Sequence, residues 1–179
     1  MRYRLELRNY CADSIIEHES VSRVLQEMSD FFLKDQVIVV TGAAGGIGRA
    51  ICEDLSEAGA KIVLAGRNAD TLKETADSLK IADSLIVSTD ITKPESVKSL
   101  LDATLAKFRR IDGLVNNAGG GSSMKKPEET PHEEWVRMID LNLTGTFNCC
   151  IEFGKHMISQ KYGKIVNISS VAGTKGNPF

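Results

Sequence analysis

The sequence has no run near the roughly 18 consecutive apolar residues that a membrane-spanning helix requires, so no membrane partner is expected. It also has no C-x-x-C pair. Its four cysteines are Cys11, Cys52, Cys149 and Cys150, and the adjacent Cys149 and Cys150 do not readily join each other. The three histidines, His18, His132 and His156, lack metal-ligand spacing, and no metal is expected. Neither sign of charge dominates: Lys+Arg number 22 and Asp+Glu 24, for a formal charge of −2. That balance excludes a nucleic-acid binder working through bulk charge. What remains is the composition of an ordinary soluble protein, 42% hydrophobic and 26% charged, with reduced thiols and a cytoplasmic location expected. A chain of 179 residues suits one domain, at about 100–200 residues each. It can bury a core without disulfide or metal staples.

Residues 1–35 read as an N-terminal extension. Arg2, Arg4 and Arg8 are interspersed with Glu6, Asp13, Glu17, Glu19, Glu27 and Asp30, and no secretory apolar core is present. Both features argue against a targeting segment. Ile15, Ile16, Val21, Val24, Leu25 and Met28 can line one face of a short helix. Equally, Met28 can be the natural start, leaving residues 1–27 as upstream sequence without a role.

From Gln36 the pattern becomes regular. Val37–Val40, Lys61–Leu64, Leu85–Val87, Ile111–Val115 and Lys164–Ile168 are short apolar runs expected to form strands. Between them lie helical spacings: Ile47, Ile51 and Leu55; Leu72, Ala76 and Leu79; Val97, Leu101, Leu105 and Phe108. A long helix is expected from Glu133 to about Gln160, through Val136, Ile139, Leu143 and Phe147. Thr92-Lys93-Pro94-Glu95 and Thr130-Pro131-His132-Glu133 read as capping boxes. Short buried strands alternating with helices imply an α/β fold, a doubly wound parallel sheet with helices on both faces, over residues 36–179. Cys149 and Cys150 fall in an apolar helical run, which favours core packing over a nucleophile's role.

Thr41-Gly42-Ala43-Ala44-Gly45-Gly46-Ile47-Gly48 lies between the first strand and the first helix. Glycines in that setting tighten the turn and let backbone N–H groups approach a pyrophosphate at the helix N-terminus. The alternative is a tight turn with no ligand. No Lys-Ser or Lys-Thr follows the loop, which excludes a P-loop NTPase. After the second strand come Gly66 and Arg67, where an NAD-selective fold would place an acid for the ribose 2′-hydroxyl. Gly66 leaves room, and the Arg67 guanidinium can hold a 2′-phosphate, favouring NADP(H) over NAD(H). The alternative is a solvated surface arginine.

Four further strings follow in order. Thr89-Asp90-Ile91 comes after the third strand and Asn116-Asn117-Ala118-Gly119 after the fourth. Leu141-Asn142-Leu143 lies in the long helix, and Gly163-Lys164-Ile165-Val166-Asn167-Ile168-Ser169-Ser170 covers the fifth strand. With the glycine loop, in this order and spacing, they resemble the short-chain dehydrogenase/reductases of the common type, from about Leu33 to Phe179. The resemblance implies a Rossmann-type sheet, here C-terminally incomplete, and hydride transfer between a nicotinamide and a carbonyl or secondary alcohol. It implies that Gly42, Ala44, Gly45, Gly46, Ile47 and Gly48 cradle the cofactor. It places Asp90 and Ile91 at the adenine, and it implies that Asn116-Asn117-Ala118-Gly119 holds the central sheet, with Asn116, Ala118 and Gly119 on the nicotinamide side. Asn142 takes the place of the family's catalytic Asn, in a locally distorted helix with an ordered water in a proton relay. Read without the resemblance, it is an amide satisfied by a neighbouring helix. Ser170, second of its pair, takes the place of the catalytic Ser that polarises the carbonyl oxygen, with Ser169 supporting the backbone.

The family's acid/base, a Tyr in Y-x-x-x-K, would fall a few positions beyond Phe179. Tyr3, Tyr10 and Tyr162 are elsewhere, and Tyr162 has Val166 where the Lys would stand. The expectation is therefore a fragment of an NADP(H)-dependent oxidoreductase, similar to a 3-oxoacyl-carrier-protein reductase or to a sugar or polyol dehydrogenase. The competing expectation is a non-catalytic NADP(H)-binding protein that ends at Phe179. An epimerase-type relative fits poorly, because its glycine spacing differs. Residues 119–126 border the substrate or simply connect. Lys125, Lys126, Lys155, Lys161 and Lys164 form either a docking surface for an acyl carrier protein or a solvated face. The resemblance further implies a homodimer or homotetramer, partly through the long helix.

Overall fold

Val37–Thr41 (β1) is a β-branched run in which every residue is buried, as a parallel strand covered on both faces requires. It pairs with Lys61–Gly66 (β2) on one side and Gly113–Asn116 (β4) on the other. Ser84–Ser88 (β3) and Lys164–Asn167 (β5) complete a parallel sheet of order β3-β2-β1-β4-β5. The computed structural model describes residues 33–81, 83–121 and 126–173. The predicted helix face over residues 15–28, the alternative start at Met28 and most of the 122–126 stretch lie outside the described residues.

Each strand sends alternate side chains to opposite faces, and each face acquires its own core. Val37, Val39, Val63, Ala65 and Leu114 pack with Val97, Leu100 and Leu101 of α3 (Pro94–Phe108) and with Cys149, Phe153 and Met157 of α5 (Gly145–Ser159). Ile38, Val40, Ile62, Leu64 and Val115 pack with Cys52 of α1 (Gly46–Glu57) and with Leu72 and Ala76 of α2 (Ala69–Ser78). The doubly wound three-layer arrangement is the one the strand–helix alternation predicts. The chain turns from one side of β1 to the other between β3 and β4. At that switch point a crevice opens at the strands' carboxyl ends.

The long helix expected from Glu133 to about Gln160 runs from His132 to Ser159 as α4 (His132–Ile139), a π-helical turn at Asp140–Thr144, and then α5. Two other local expectations are corrected. The two capping boxes do not form. Thr92 turns back to Asp90 instead, donating from both its N–H (3.0 Å) and its hydroxyl (2.8 Å) to Asp90 Oδ1, and Thr130 Oγ1 donates to Lys126 O. β4 starts at Gly113 rather than Ile111, and Asp112 just before it carries a further contact. Its carboxylate, 2% exposed, accepts from Val37 N–H at 2.8 Å and from Arg110 in a two-point contact at 2.8 and 2.6 Å. That buried clip ties the starts of β1 and β4 together.

Candidate active site

At the end of β1 the backbone reverses through Gly42, whose φ of +65° lies in the left-handed region that favours glycine. Gly45 caps α1 without any side-chain hydrogen bond, so the first N–H groups of α1 border the cleft with their dipole directed at it. Gly48 sits against the loop. A Cβ there would press into the Gly42 carbonyl and stand 2.6 Å from Asn117 Nδ2. Only hydrogen fits.

The opposite wall is joined to this loop through one hydroxyl. Thr41 Oγ1, buried, donates to Val115 O at 3.3 Å and accepts from the N–H groups of Asn117 and Ala118, each at 3.0 Å. Asn117 Nδ2 donates to Thr41 O at 3.0 Å and to Gly42 O at 3.2 Å. The glycine loop and the turn after β4 are therefore one hydrogen-bonded unit.

Beyond β2, Asn68 Oδ1 accepts from Asp70 N–H and Thr71 N–H, capping α2. Ser88 Oγ donates to the Arg67 carbonyl at 3.0 Å. The Arg67 side chain thus projects, exposed, from a fixed turn. Across from it, the Thr92 hydroxyl holds the Asp90 carboxyl below its ordinary range, with Lys93 and Arg67 adding attraction. Ile91 is buried beneath α5, where Gly145 provides the room: a Cβ at Gly145 would meet Ile91 Cδ1 at 2.6 Å.

These walls enclose a cleft of about 810 Å³. Of the residues predicted from sequence, Gly42, Ala44, Gly45, Ile47, Gly48, Arg67, Asp90, Ile91, Ala118 and Gly119 line it, and Gly46 does not. Asn117, Asn68 and Ile168 also line it, although the sequence reading gave them no contact there, and so does Gly120 of the 119–126 loop. A smaller recess of about 430 Å³ adjoins it past Arg67 and Asp90, against His132, Arg137 and Asp140 of α4 and its π-turn.

Asn116 is set apart from its neighbours. It is 4% exposed, lies outside the cleft lining, and turns its amide to Asn167 and Cys150. Asn117 takes the place at the wall. Strand alternation carries the signal, since Asn116 shares a face with Leu114, which is committed to the core.

Asn142 sits in the π-turn, the local helix distortion anticipated for it. Its Oδ1 accepts from Gly120 N–H, and its Nδ2 donates to Gly120 O and Met138 O, all at 3.0 Å. The side chain is thus consumed in holding the loop after β4 to the helix. A Cβ on Gly119 would stand 2.8 Å from Asn142 Oδ1. Ser170 lies beyond the end of β5, exposed, with its carbonyl accepting from Gly173 N–H at 3.0 Å. Neither Asn142 nor Ser170 lines the cleft itself. Cys52 and Cys149 are core residues whose thiols burial pushes up to about 12, which removes them as nucleophiles at neutral pH. Among the described residues, no cluster of three or more His, Cys, Asp or Glu could hold a metal. Nor is any described helix long and apolar enough to cross a membrane.

This geometry has counterparts. Residues 36–179 match the family model described as short chain dehydrogenase. A 3-oxoacyl-[acyl-carrier-protein] reductase of Synechocystis is 40% identical over 154 residues, covering 82% of this chain and 60% of that protein. NAD+-bound xylitol dehydrogenase superposes with a TM-score of 0.79 at 34% identity, over 82% of this chain and 57% of that one. An actinorhodin polyketide ketoreductase variant with NADPH gives 0.76 at 30% identity, over 80% and 56%. The chain spans about 60% of the length of the curated relatives it matches.

Proposed function

From the premise that the chain belongs to the short-chain dehydrogenase family, we propose that it is the cofactor-binding part of an NADP(H)-dependent oxidoreductase interconverting a carbonyl and a secondary alcohol. The observation that carries this reading is the cleft. An uncapped, glycine-lined helix N-terminus lies on one side and a projecting arginine on the other, within a volume suited to a dinucleotide. The helix N-terminus and Arg67 both favour an anionic group. No atom stands within 4 Å of a Cβ built on Gly46, and one on Gly45 would meet only Gly42 O, at 3.9 Å, so a pyrophosphate can approach the N–H groups of α1.

In this reading Gly42, Ala44, Gly45, Gly46, Ile47 and Gly48 form the phosphate cradle. Arg67 holds the 2′-phosphate by a charge-assisted contact. Asp90, kept ionised by Thr92, accepts from the exocyclic amine of the adenine, and Ile91 supports the ring. Ala118 and Gly119 border the nicotinamide. Hydride exchange is the chemistry that cofactor supplies when bound. Ser170 donates a hydrogen bond to the carbonyl oxygen, stabilising charge that develops there. Asn142 keeps the Gly119–Gly120 wall against the helix. A proton donor is still required, and the 179 residues contain no Y-x-x-x-K. We place that pair in sequence outside them.

The substrate class covers thioester-borne 3-ketones and polyols. The xylitol dehydrogenase and the acyl-carrier-protein reductase among the similar proteins support that range. An exposed apolar stripe along the π-turn and α5 supports a homo-oligomer of the complete protein: Leu143, Phe147, Ile151 and Ile158 are 64%, 61%, 42% and 79% exposed. The test is nucleotide titration of the full-length gene product followed by reduction of an acetoacetyl thioester. NADPH should bind at least tenfold more tightly than NADH, and Arg67→Ala should erase that difference. A preference for NADH that survives Arg67→Ala would refute the cofactor assignment. The 179-residue chain alone should show no carbonyl reduction, and robust turnover by it would refute the placement of the proton donor.

A further inference from the structure

Asn116 ends β4 in a buried position that sequence logic would fill with an apolar side chain. Its Nδ2 donates to Asn167 Oδ1 on β5 at 2.8 Å and to Cys150 Sγ on α5 at 3.3 Å. Cys150 Sγ stands 3.6 Å from Asn167 Oδ1. Two strands and a helix thus meet through three polar side chains. Asn116 Oδ1, meanwhile, is buried with no hydrogen-bond partner. An unpaired buried acceptor is a standing cost that an apolar residue of similar size would avoid. The amide is therefore placed for what it donates.

What it donates to is the least supported strand of the sheet. β5 is four residues long and exposed throughout. Its pairing with β4 ends at the Asn116–Asn167 rung, followed by a bond from Ile168 N–H to Asn116 O at 2.9 Å. A backbone ladder fixes register, but strand twist varies widely from pair to pair. A side-chain bond at the last rung removes that freedom where it matters, because Ser170 follows three residues later.

We propose that Asn116 is a positioning residue. By holding Asn167 it sets the direction in which the chain leaves β5, and so the place of the Ser170 hydroxyl beside the cleft. This rests on the reading of Ser170 as the group that polarises the substrate carbonyl. It gives Asn116 a role toward the substrate side in place of contact with the cofactor.

The test uses the full-length gene product, with NADPH and an acetoacetyl thioester as probes. Retained NADPH affinity serves in each variant as the readout of an intact fold. Asn167→Ala removes the acceptor and should lower kcat at least tenfold, while the Kd for NADPH stays within twofold. Asn167→Asp restores an acceptor for Asn116 and should recover most of the lost kcat. Asn116→Ala should reproduce the Asn167→Ala pattern. Ser170→Ala is the reference and should abolish turnover with NADPH binding retained. Wild-type kcat in Asn167→Ala, beside an inactive Ser170→Ala, overturns the positioning role and leaves the functional reading standing. A loss of NADPH affinity matching the loss of kcat also overturns it, by returning Asn116 to the cofactor wall. Wild-type turnover in Ser170→Ala overturns the reading of Ser170 and this inference together.

Discussion

β1 and β5 are short parallel strands of one sheet, both rich in Val and Ile, yet every residue of β1 is buried and every residue of β5 is exposed. The difference lies in what covers them. On the β1–β3 side, α1, α2 and α3 close both faces and leave Val39, Val63 and Leu64 without accessible surface. At β5, by contrast, α5 is the helix packed against the strand among the described residues. Val166, on the face shared with Val115, is 51% exposed, and Val171 just past the strand is 78% exposed. Burial is a property of a strand's neighbours, and β5 carries its apolar side chains at the surface of the described residues. The nucleotide cleft lies against the closed side, whereas Ser170 hangs from the open one.

The contrast can be broken most directly by truncation. Leu64→Ala on β2 should cost about 2–5 kcal/mol in chemical denaturation, and Val166→Ala on β5 less than about 0.5 kcal/mol. Equal costs would mean that the two sides are equally packed. Next in size is Gly48→Ala. The added methyl meets the Gly42 carbonyl, backbone that cannot swing aside, so nucleotide affinity should fall on the order of 100-fold, about 2.7 kcal/mol. An unchanged Kd by calorimetric titration would show that the loop yields. On the open side, Phe147→Glu should shift the complete protein toward monomer in sedimentation, with a change in monomer stability within about 0.5 kcal/mol. An unaltered assembly would place the contact elsewhere.

The smallest effect concerns Asp90. Its pKa in the folded protein lies below the unfolded value, chiefly through the Thr92 hydroxyl. The stabilisation of its charge is thus present above the unfolded value and is lost as pH falls through the lowered folded one. Nucleotide affinity should therefore hold as pH drops through about 4, the ordinary carboxylate range. In Thr92→Val the decline should begin at higher pH. Identical pH profiles for the two proteins would remove Thr92 from the account.

The same contrast explains what could be read from the sequence. Strand positions, the parallel sheet and the cleft-lining glycines were legible because apolar period, turn chemistry and loop spacing agree there. The π-turn left no mark in the apolar pattern, because Asp140–Thr144 keeps a helical composition, and only the resemblance carried by Leu141-Asn142-Leu143 implied a distortion there. Thr92 matched a capping box by spacing, but Asp90, two residues before it, offered its hydroxyl a charged acceptor. Asp112 gave no sign of its clip, since its partners Val37 and Arg110 come together only in the folded sheet. Asn116 and Asn117 are indistinguishable by type. Only the end of β4 decides which one faces the core and which the cleft. The exposure of β5 was illegible for a related reason, because its run of Ile and Val reads like that of β1.

The π-turn also makes the helix a counting device. Each residue advances an α-helix by about 100°, and the turn closed by Gly145 N–H on Asp140 O spans one residue more than an α-turn. That single addition lets His132–Ile139 keep its direction while Cys149, Phe153 and Met157 point into the core. Removing one residue between Asp140 and Thr144 would restore an unbroken helix and swing everything after it by about 100°. Phe153 would rotate toward solvent, and the Asn142 amide would lose Gly120. Length in these five positions is therefore under tighter constraint than side-chain identity, and a one-residue deletion there should be worse tolerated than any single substitution.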